Sequence, residues 1–359
     1  MKSRLQEISD NQHEKIEERL SSSRNQGDRG RPIFGSKSIK FDASERVGAI
    51  ANGGIGAIQV LVKKLGVANA IDRDLKLLKF HRPYHESDHV LNLAYSTLCG
   101  GSRLQDIELL RQDENYLNAL GVDSIPDPTT AGDFCRRFSN GHHEALMDSI
   151  NSIRQKVWSS QEDSVFDEAN IDADGVLVKT YGECKEGMSL SYKGTWGYHP
   201  LLISLAETKE PLYIVNRSGE KTSEHNCAVY FDKAIDLCED SGFRTVRLRG
   251  DSAFALTGNF DRWNDRGVKF VFSHSAHKEL VSNACLCDES DWEVIDRKSA
   301  KEFERQRPKN FKKEVIEQKG YRIMKLKRED VIEFQHKATK CQQDYRYVVV
   351  RKEIDNARC

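Results

Sequence analysis

The sequence has no long apolar run. Segments such as Leu201 to Leu205 and Val348 to Val350 are typical. They fall far short of the ~18 residues a membrane helix requires. The first twenty residues are charged throughout and hold no apolar h-region, so no secretory signal is read. No Cys-x-x-Cys occurs among the nine scattered cysteines, which excludes a zinc ribbon and a thioredoxin-type motif. Gly53-Gly54-Ile55-Gly56 lacks a preceding strand and the third glycine of a dinucleotide loop, and no phosphate-loop Gly-Lys-Ser/Thr exists. Net charge is almost absent at −1, so any contact with nucleic acid must come from local asymmetry. These absences lead to the expectation of a soluble, cytoplasmic protein with reduced cysteines.

What remains is a chain of 359 residues, long enough for two or three domains, with 38% hydrophobic residues to build cores. Residues 1–40 are polar and read as a flexible tail. From Phe41 to Trp158 apolar residues keep helical spacing, as at Ile58, Leu61, Val62 and Leu65. Asp127-Pro128-Thr129-Thr130 has the form of a helix start. From Ser164 short apolar runs alternate with turns. Strands are expected at Val165-Phe166 with Ile171–Val178, at Gly197–Leu205 and at Leu212–Val215. A helix over Glu224–Asp240, a strand at Thr245–Leu248, a short helix through Phe260 and Trp263, and a strand at Val268–Phe272 follow. This order is an α/β signature. After Cys285 four further strands are expected, at Trp292–Ile295, Tyr321–Leu326, Val331–Phe334 and Tyr345–Val350. Between them, Arg297 to Arg328 holds thirteen Lys or Arg against four Glu. That excess suits a phosphate-binding surface, with a solvated face as the plainer alternative.

Two acidic motifs carry the chemistry. In Ile171-Asp172-Ala173-Asp174-Gly175, residues two apart on a strand share a face, so Asp172 and Asp174 would lie side by side. Paired carboxylates are costly without a cation, and Mg²⁺ or Mn²⁺ favours such hard oxygen ligands. The competing reading is a surface strand ending in a turn. In Arg249-Gly250-Asp251-Ser252 an apolar strand ends at an acid, where open α/β sheets collect ligands. There the competing reading is a helix cap. Taken together, an acid in the first strand and another after the fourth is the layout of a ribonuclease H-like nucleotidyl-transfer core. Lys193, Arg217, Lys221 and Arg249 lie near these acids in the chain and are candidate DNA contacts, as are Lys309, Lys312 and Lys313 in the basic stretch. Tyr192, Trp196 and Tyr198 alternate as strand core or rim, with stacking on a DNA end as the sharper alternative. His81, His85 and His89 are four apart, but Pro83 interrupts the helix they would share, so no metal is assigned to them.

The run from Ile171-Asp172-Ala173-Asp174-Gly175 through Tyr192-Lys193-Gly194-Thr195-Trp196-Gly197-Tyr198-His199-Pro200 and Val215-Asn216-Arg217-Ser218-Gly219 to Leu248-Arg249-Gly250-Asp251 resembles the DDE transposases of bacterial insertion sequences, of the transposase DDE domain group 1 type. Pro128-Thr129-Thr130 and Phe134-Cys135-Arg136-Arg137-Phe138 resemble the segment before the catalytic domain. The likeness runs from about Phe41 to the C-terminus. It implies an α/β fold: a ribonuclease H-like catalytic core over 161–284, a β-rich basic insertion over 285–359, and a helical DNA-binding and dimerisation region over 41–160. It implies Asp172 or Asp174 as first catalytic acid and Asp251 as second, holding Mg²⁺ or Mn²⁺. The partners implied are transposon ends, target DNA and a second copy of the chain, in a nucleoid-associated setting. The family's third acid, a Glu on a helix after the insertion, has no counterpart near Cys359. The expectation is therefore a truncated enzyme of impaired activity, or a DNA-binding remnant that regulates transposition.

Overall fold

The computed structural model describes residues 14, 18, 34, 50–181, 185–295 and 322–358. The chain forms two compact units. Unit 1 comprises Met1–Glu168, Glu210–Ile214 and Lys233–Arg244, and unit 2 comprises Ala169–Lys209, Val215–Asp232 and Thr245–Cys359.

Unit 1 is helical: α1 (Ile55–Leu65), α2 (Val67–Asp74), α3 (Glu86–Leu98), α4 (Ile107–Arg111), α5 (Glu114–Leu120), α6 (Pro128–Cys135) and α7 (Asn140–Trp158). Ile55, Leu91, Tyr95, Tyr116, Leu117 and Leu120 meet in one core cluster. Each such side chain contributes roughly 1.5–3 kcal/mol when fully buried. Phe34, inside the stretch read as a flexible tail, is buried in that cluster, edge-on to Tyr95 at 5.3 Å. Its backbone N–H donates to Asp88 Oδ1 at 3.1 Å. Gln59, also buried, donates to the carbonyls of Phe34 and Leu120 and accepts from the Tyr95 hydroxyl. The cost of burying the amide is thereby offset. Asp127 caps α6, accepting from the Thr129 and Thr130 backbone N–H groups at 2.9 and 3.1 Å. The α7 end is fixed within the same unit by Trp158, which packs on Phe243 and donates Nε1 to Glu210 at 3.0 Å.

Beyond α7 the strands are β1 (Ala169–Gly175), β2 (Val178–Lys179), β3 (Ser189–Leu190), β4 (Trp196–Tyr198), β5 (Leu201–Leu205) and β6 (Glu210–Val215). After α8 (Cys227–Asp240) come β7 (Val246–Gly250), α9 (Phe260–Asp265) and β8 (Lys269–Phe272). Then follow α10 (Lys278–Leu286), β9 (Glu293–Val294), β10 (Arg322–His336) and β11 (Tyr345–Arg358). The five-stranded sheet has the order β6-β5-β1-β7-β8. It is mixed: β5 is antiparallel to β1, whereas β7 is parallel to β1 and β8 to β7. The fold is thus mixed α/β around a central mixed sheet.

Several boundaries differ from the sequence reading. Val165-Phe166 lies in a 3₁₀ turn rather than a strand. The strand expected over Gly197–Leu205 is split into β4 and β5 at His199-Pro200, because Pro200 has no N–H to give a ladder. The two short strands expected at Tyr321–Leu326 and Val331–Phe334 are one strand, β10, with a register shift between Leu326 and Arg328. The β10–β11 hairpin is tied to α9 by Asp261, which accepts from Gln342 N and Tyr345 Oη, each at 2.7 Å. Most of the basic stretch, including Lys309, Lys312 and Lys313, lies outside the described residues. Among the described residues no helix is long and apolar enough to cross a membrane.

Candidate active site

β1 and β7 form because their apolar residues alternate. Ala169, Ile171, Ala173, Val246 and Leu248 are buried on one face. Asn170, Asp172, Asp174, Arg247 and Arg249 take the other face by period-two alternation. The parallel register pairs Asp172 with Arg249 and Ala173 with Gly250. Asp174 and Asp251 are the next residues of the two strands. Asp174 is still paired within the sheet, opposite Leu202 of β5, whereas β7 ends at Gly250, one residue before Asp251.

The three acids have different surroundings. Asp172 is gripped by a two-pronged ion pair, with Arg249 Nε on Oδ1 at 2.6 Å and Nη2 on Oδ2 at 2.8 Å. The side chains are 39% and 43% exposed, respectively, so water screens the pair and its net contribution stays below about 1 kcal/mol. Asp174 is exposed and its Oδ1 accepts from Gly175 N at 2.7 Å. Asp251 is exposed and caps a short 3₁₀ turn, Ser252–Phe254, by accepting from Ala253 N at 2.9 Å. It therefore combines both readings made from the sequence, a strand-end acid and a cap. Neither Asp174 nor Asp251 has a basic partner among the described residues.

Two glycines permit this geometry. A Cβ on Gly250 would lie 2.8 Å from the Cβ of buried Phe254, so only glycine lets the chain fold back and aim Asp251 from the strand end. A Cβ on Gly175 would lie 2.7 Å from His199 Nε2. His199 is buried, and its Nδ1 lies 2.7 Å from the Lys221 carbonyl. A carbonyl only accepts, so Nδ1 carries a proton and donates. Sequence reasoning missed His199 as the neighbour of Gly175. The contact is set by tertiary register, for which local spacing gives no signal.

The candidate DNA contacts separate in space. Lys193 is exposed at the tip of the β3–β4 hairpin, with Nζ 5.3 Å from the Tyr192 ring centre. Arg217, expected to contact the strand being cut, is 7% exposed. Its guanidinium donates to the carbonyls of His199, Ser223 and His225 at 2.8–2.9 Å. It thereby staples the loop that holds these three carbonyls. Arg249 is engaged with Asp172, as above.

The histidines do not share a helix face. His81 precedes α3, His85 is its N-cap and His89 lies inside it. His81 Nε2 is 3.1 Å from Glu86 Oε2, and its ring stacks on His85 at 4.0 Å. The ligand-capable atoms of His81, His85 and Glu86 lie within 4.8 Å of one another. Glu86 is already committed, accepting from Leu77 N and Leu78 N at 2.9 and 2.8 Å. A cation there would also oppose the positive end of the α3 dipole.

A family profile described as Transposase DDE domain group 1 matches residues 37–357. The chain belongs to that family. DDE transposases in general use divalent metal ions, and the hard oxygen donors of Asp174 and Asp251 fit such an ion. Among solved structures, a cryo-EM structure of a piggyBac transposase synaptic complex with hairpin DNA is similar at 11% identity and a TM-score of 0.30. That similarity covers 64% of this transposase-family chain and 52% of the other. The chain thus spans about half the length of that relative. No match is found among curated proteins.

Proposed function

We propose that this protein is a DNA transposase of a bacterial insertion sequence. It would cleave at terminal inverted repeats and join the freed 3′-hydroxyl end to target DNA, working on the nucleoid as a homodimer. The observation that carries this reading is the parallel register of β1 on β7, which pairs Ala173 with Gly250, the residues that immediately precede Asp174 and Asp251. It supports a ribonuclease H-like core with Asp174 and Asp251 as catalytic acids. These two would hold Mg²⁺ or Mn²⁺, which supplies charge neutralisation for an in-line phosphoryl displacement. The chain's own residues do the positioning. Gly250 leaves room for Phe254 in the turn that carries Asp251, and Gly175 leaves room for buried His199 at the end of β1 beside Asp174. Arg249 occupies both carboxylate oxygens of Asp172. With Asp172 so engaged, metal binding rests on two acids, and cleavage should be slow because affinity follows ligand number and charge.

The Asp172–Arg249 pair also favours a second reading, a DNA-binding protein silent in cleavage that regulates transposition. Incubating labelled duplexes that carry the inverted repeats flanking the gene, with Mg²⁺ or Mn²⁺, separates the two. The enzyme reading expects end-specific cleavage that disappears in Asp251→Asn and Asp174→Asn. End-specific binding without cleavage supports the silent reading, and cleavage unchanged in Asp251→Asn removes the active-site assignment.

A further inference from the structure

Unit 2 carries a second, three-stranded sheet in the order β2-β4-β3. It begins three residues beyond Gly175, so it grows from the same strand end that presents Asp174. Its register pairs Leu190 with Trp196 and Val178 with Tyr198. Residues in register share a face, as do residues two apart along a strand. Leu190, Trp196, Val178 and Tyr198 therefore form one face. The first three are 50%, 55% and 45% exposed. Tyr192 at the hairpin tip and Tyr181 just past β2 are 74% and 76% exposed. Each carries a lysine against its ring: Lys193 at 5.3 Å and Lys179 at 5.1 Å. Lys185, exposed, donates to Thr180 Oγ1. Among the described residues from 176 to 198 the only acid is Glu186.

An occupant of this face must be flat and apolar on one side and anionic at its edge. An apolar protein helix would leave the Lys193 ammonium at the hairpin tip without counter-charge. A stacked base offers a π-face to an aromatic ring, and its phosphate reaches a neighbouring lysine. Paired bases hide those π-faces inside the duplex, so the match is to unpaired nucleotides. We propose that the β2-β4-β3 face, with Trp196 at its centre, binds the unpaired bases of a DNA end. The proposal rests on the transposase reading and specifies which part of the DNA this surface takes.

The test uses the full chain, a labelled oligothymidylate, and a blunt duplex of the same length, with binding followed by anisotropy. Trp196→Ala should weaken oligothymidylate binding by roughly ten-fold, the usual scale for losing one stacking ring, and leave duplex binding unchanged. Trp196→Phe keeps a ring and should keep most of the affinity. The tryptophan quench seen on binding in the wild type should vanish in Trp196→Phe although binding persists. Trp158 and Trp263 are buried and will not report the contact, and the quench is read in a Trp292→Phe background because Trp292 is partly exposed. Unchanged oligothymidylate affinity in Trp196→Ala overturns the proposal, as does an equal loss on both DNAs with circular dichroism intact. If Trp196→Ala does not fold, a quench that persists in Trp196→Phe overturns it just as well. Loss of wild-type duplex binding with single-strand binding intact would instead count against the transposase reading alone.

Discussion

Lowering the pH from 7 to 5 should loosen α3 through one residue, His89. Its ring is buried, stacked on Phe134 at 4.4 Å and edge-on to Tyr84 at 5.7 Å. Its Nδ1 has no hydrogen-bond partner among the described residues. Burial, which penalises the charged ring, pushes its pKa down from 6.5 to about 4. The unfolded chain therefore binds a proton between pH 6.5 and 4 that the folded helix refuses. Stability is full above 6.5, falls as pH drops through that window, and levels off below 4. The shift of about 2.5 pH units corresponds to about 3 kcal/mol in total, of which about 2 kcal/mol is lost by pH 5, roughly thirty-fold in the opening equilibrium. Hydrogen exchange of the peptide spanning 86–98, corrected for intrinsic rates, reads that equilibrium directly. In His89→Gln, which cannot take the proton, the pH dependence should flatten. An equally steep slope in His89→Gln, or a flat wild-type profile, refutes the reasoning.

Three further outcomes are expected. Arg249→Gln should cost less than about 1 kcal/mol in urea unfolding, because the pair is two-fifths exposed. By releasing Asp172 it should tighten Mn²⁺ binding measured by calorimetry. Unchanged Mn²⁺ affinity would show that the clamp does not compete with the ion. Gly250→Ala forces a Cβ to within 2.8 Å of Phe254 Cβ. It should lower stability by about 1–3 kcal/mol, the usual range for overpacking, seen as a drop in melting temperature. Asp127→Ala removes the α6 cap and should cost about 1 kcal/mol at pH 7. Burial pushes the Asp127 carboxyl up, but the Thr130 and Thr129 donors outweigh it and hold the pKa below the ordinary value. The cap's contribution is thus present above the ordinary carboxylate range. The gap between wild type and variant should close as pH falls through the lowered value.

Local alternation was enough to read β1 and β7, because Ile171, Ala173, Val246 and Leu248 recur at period two between polar residues. It was enough for the α6 start, where Asp127 and Pro128 declare the cap. It was blind to pairing. That Asp172 faces Arg249 depends on which strands are neighbours and in what register, and residues 77 apart carry no mark of it. Arg217 looked like a surface cation because a lone arginine in a polar loop gives no sign of the three carbonyls that loop closure brings to it. Phe34 was read by the composition of its surroundings. Its burial is set by a pocket in helices far along the chain. The interruption at Pro200 was in the letters, but the apolar runs on both sides masked it.

The guanidinium over Asp172 gives the acidic strand an internal counter-ion. The inner carboxylate of β1 is thus neutralised whether or not a divalent ion is present, and the sheet should stay folded in a chelator. Any ion held by Asp174 and Asp251 adds to stability by mass action, so adding Mn²⁺ should raise the melting temperature and a chelator should return it to the ion-free value.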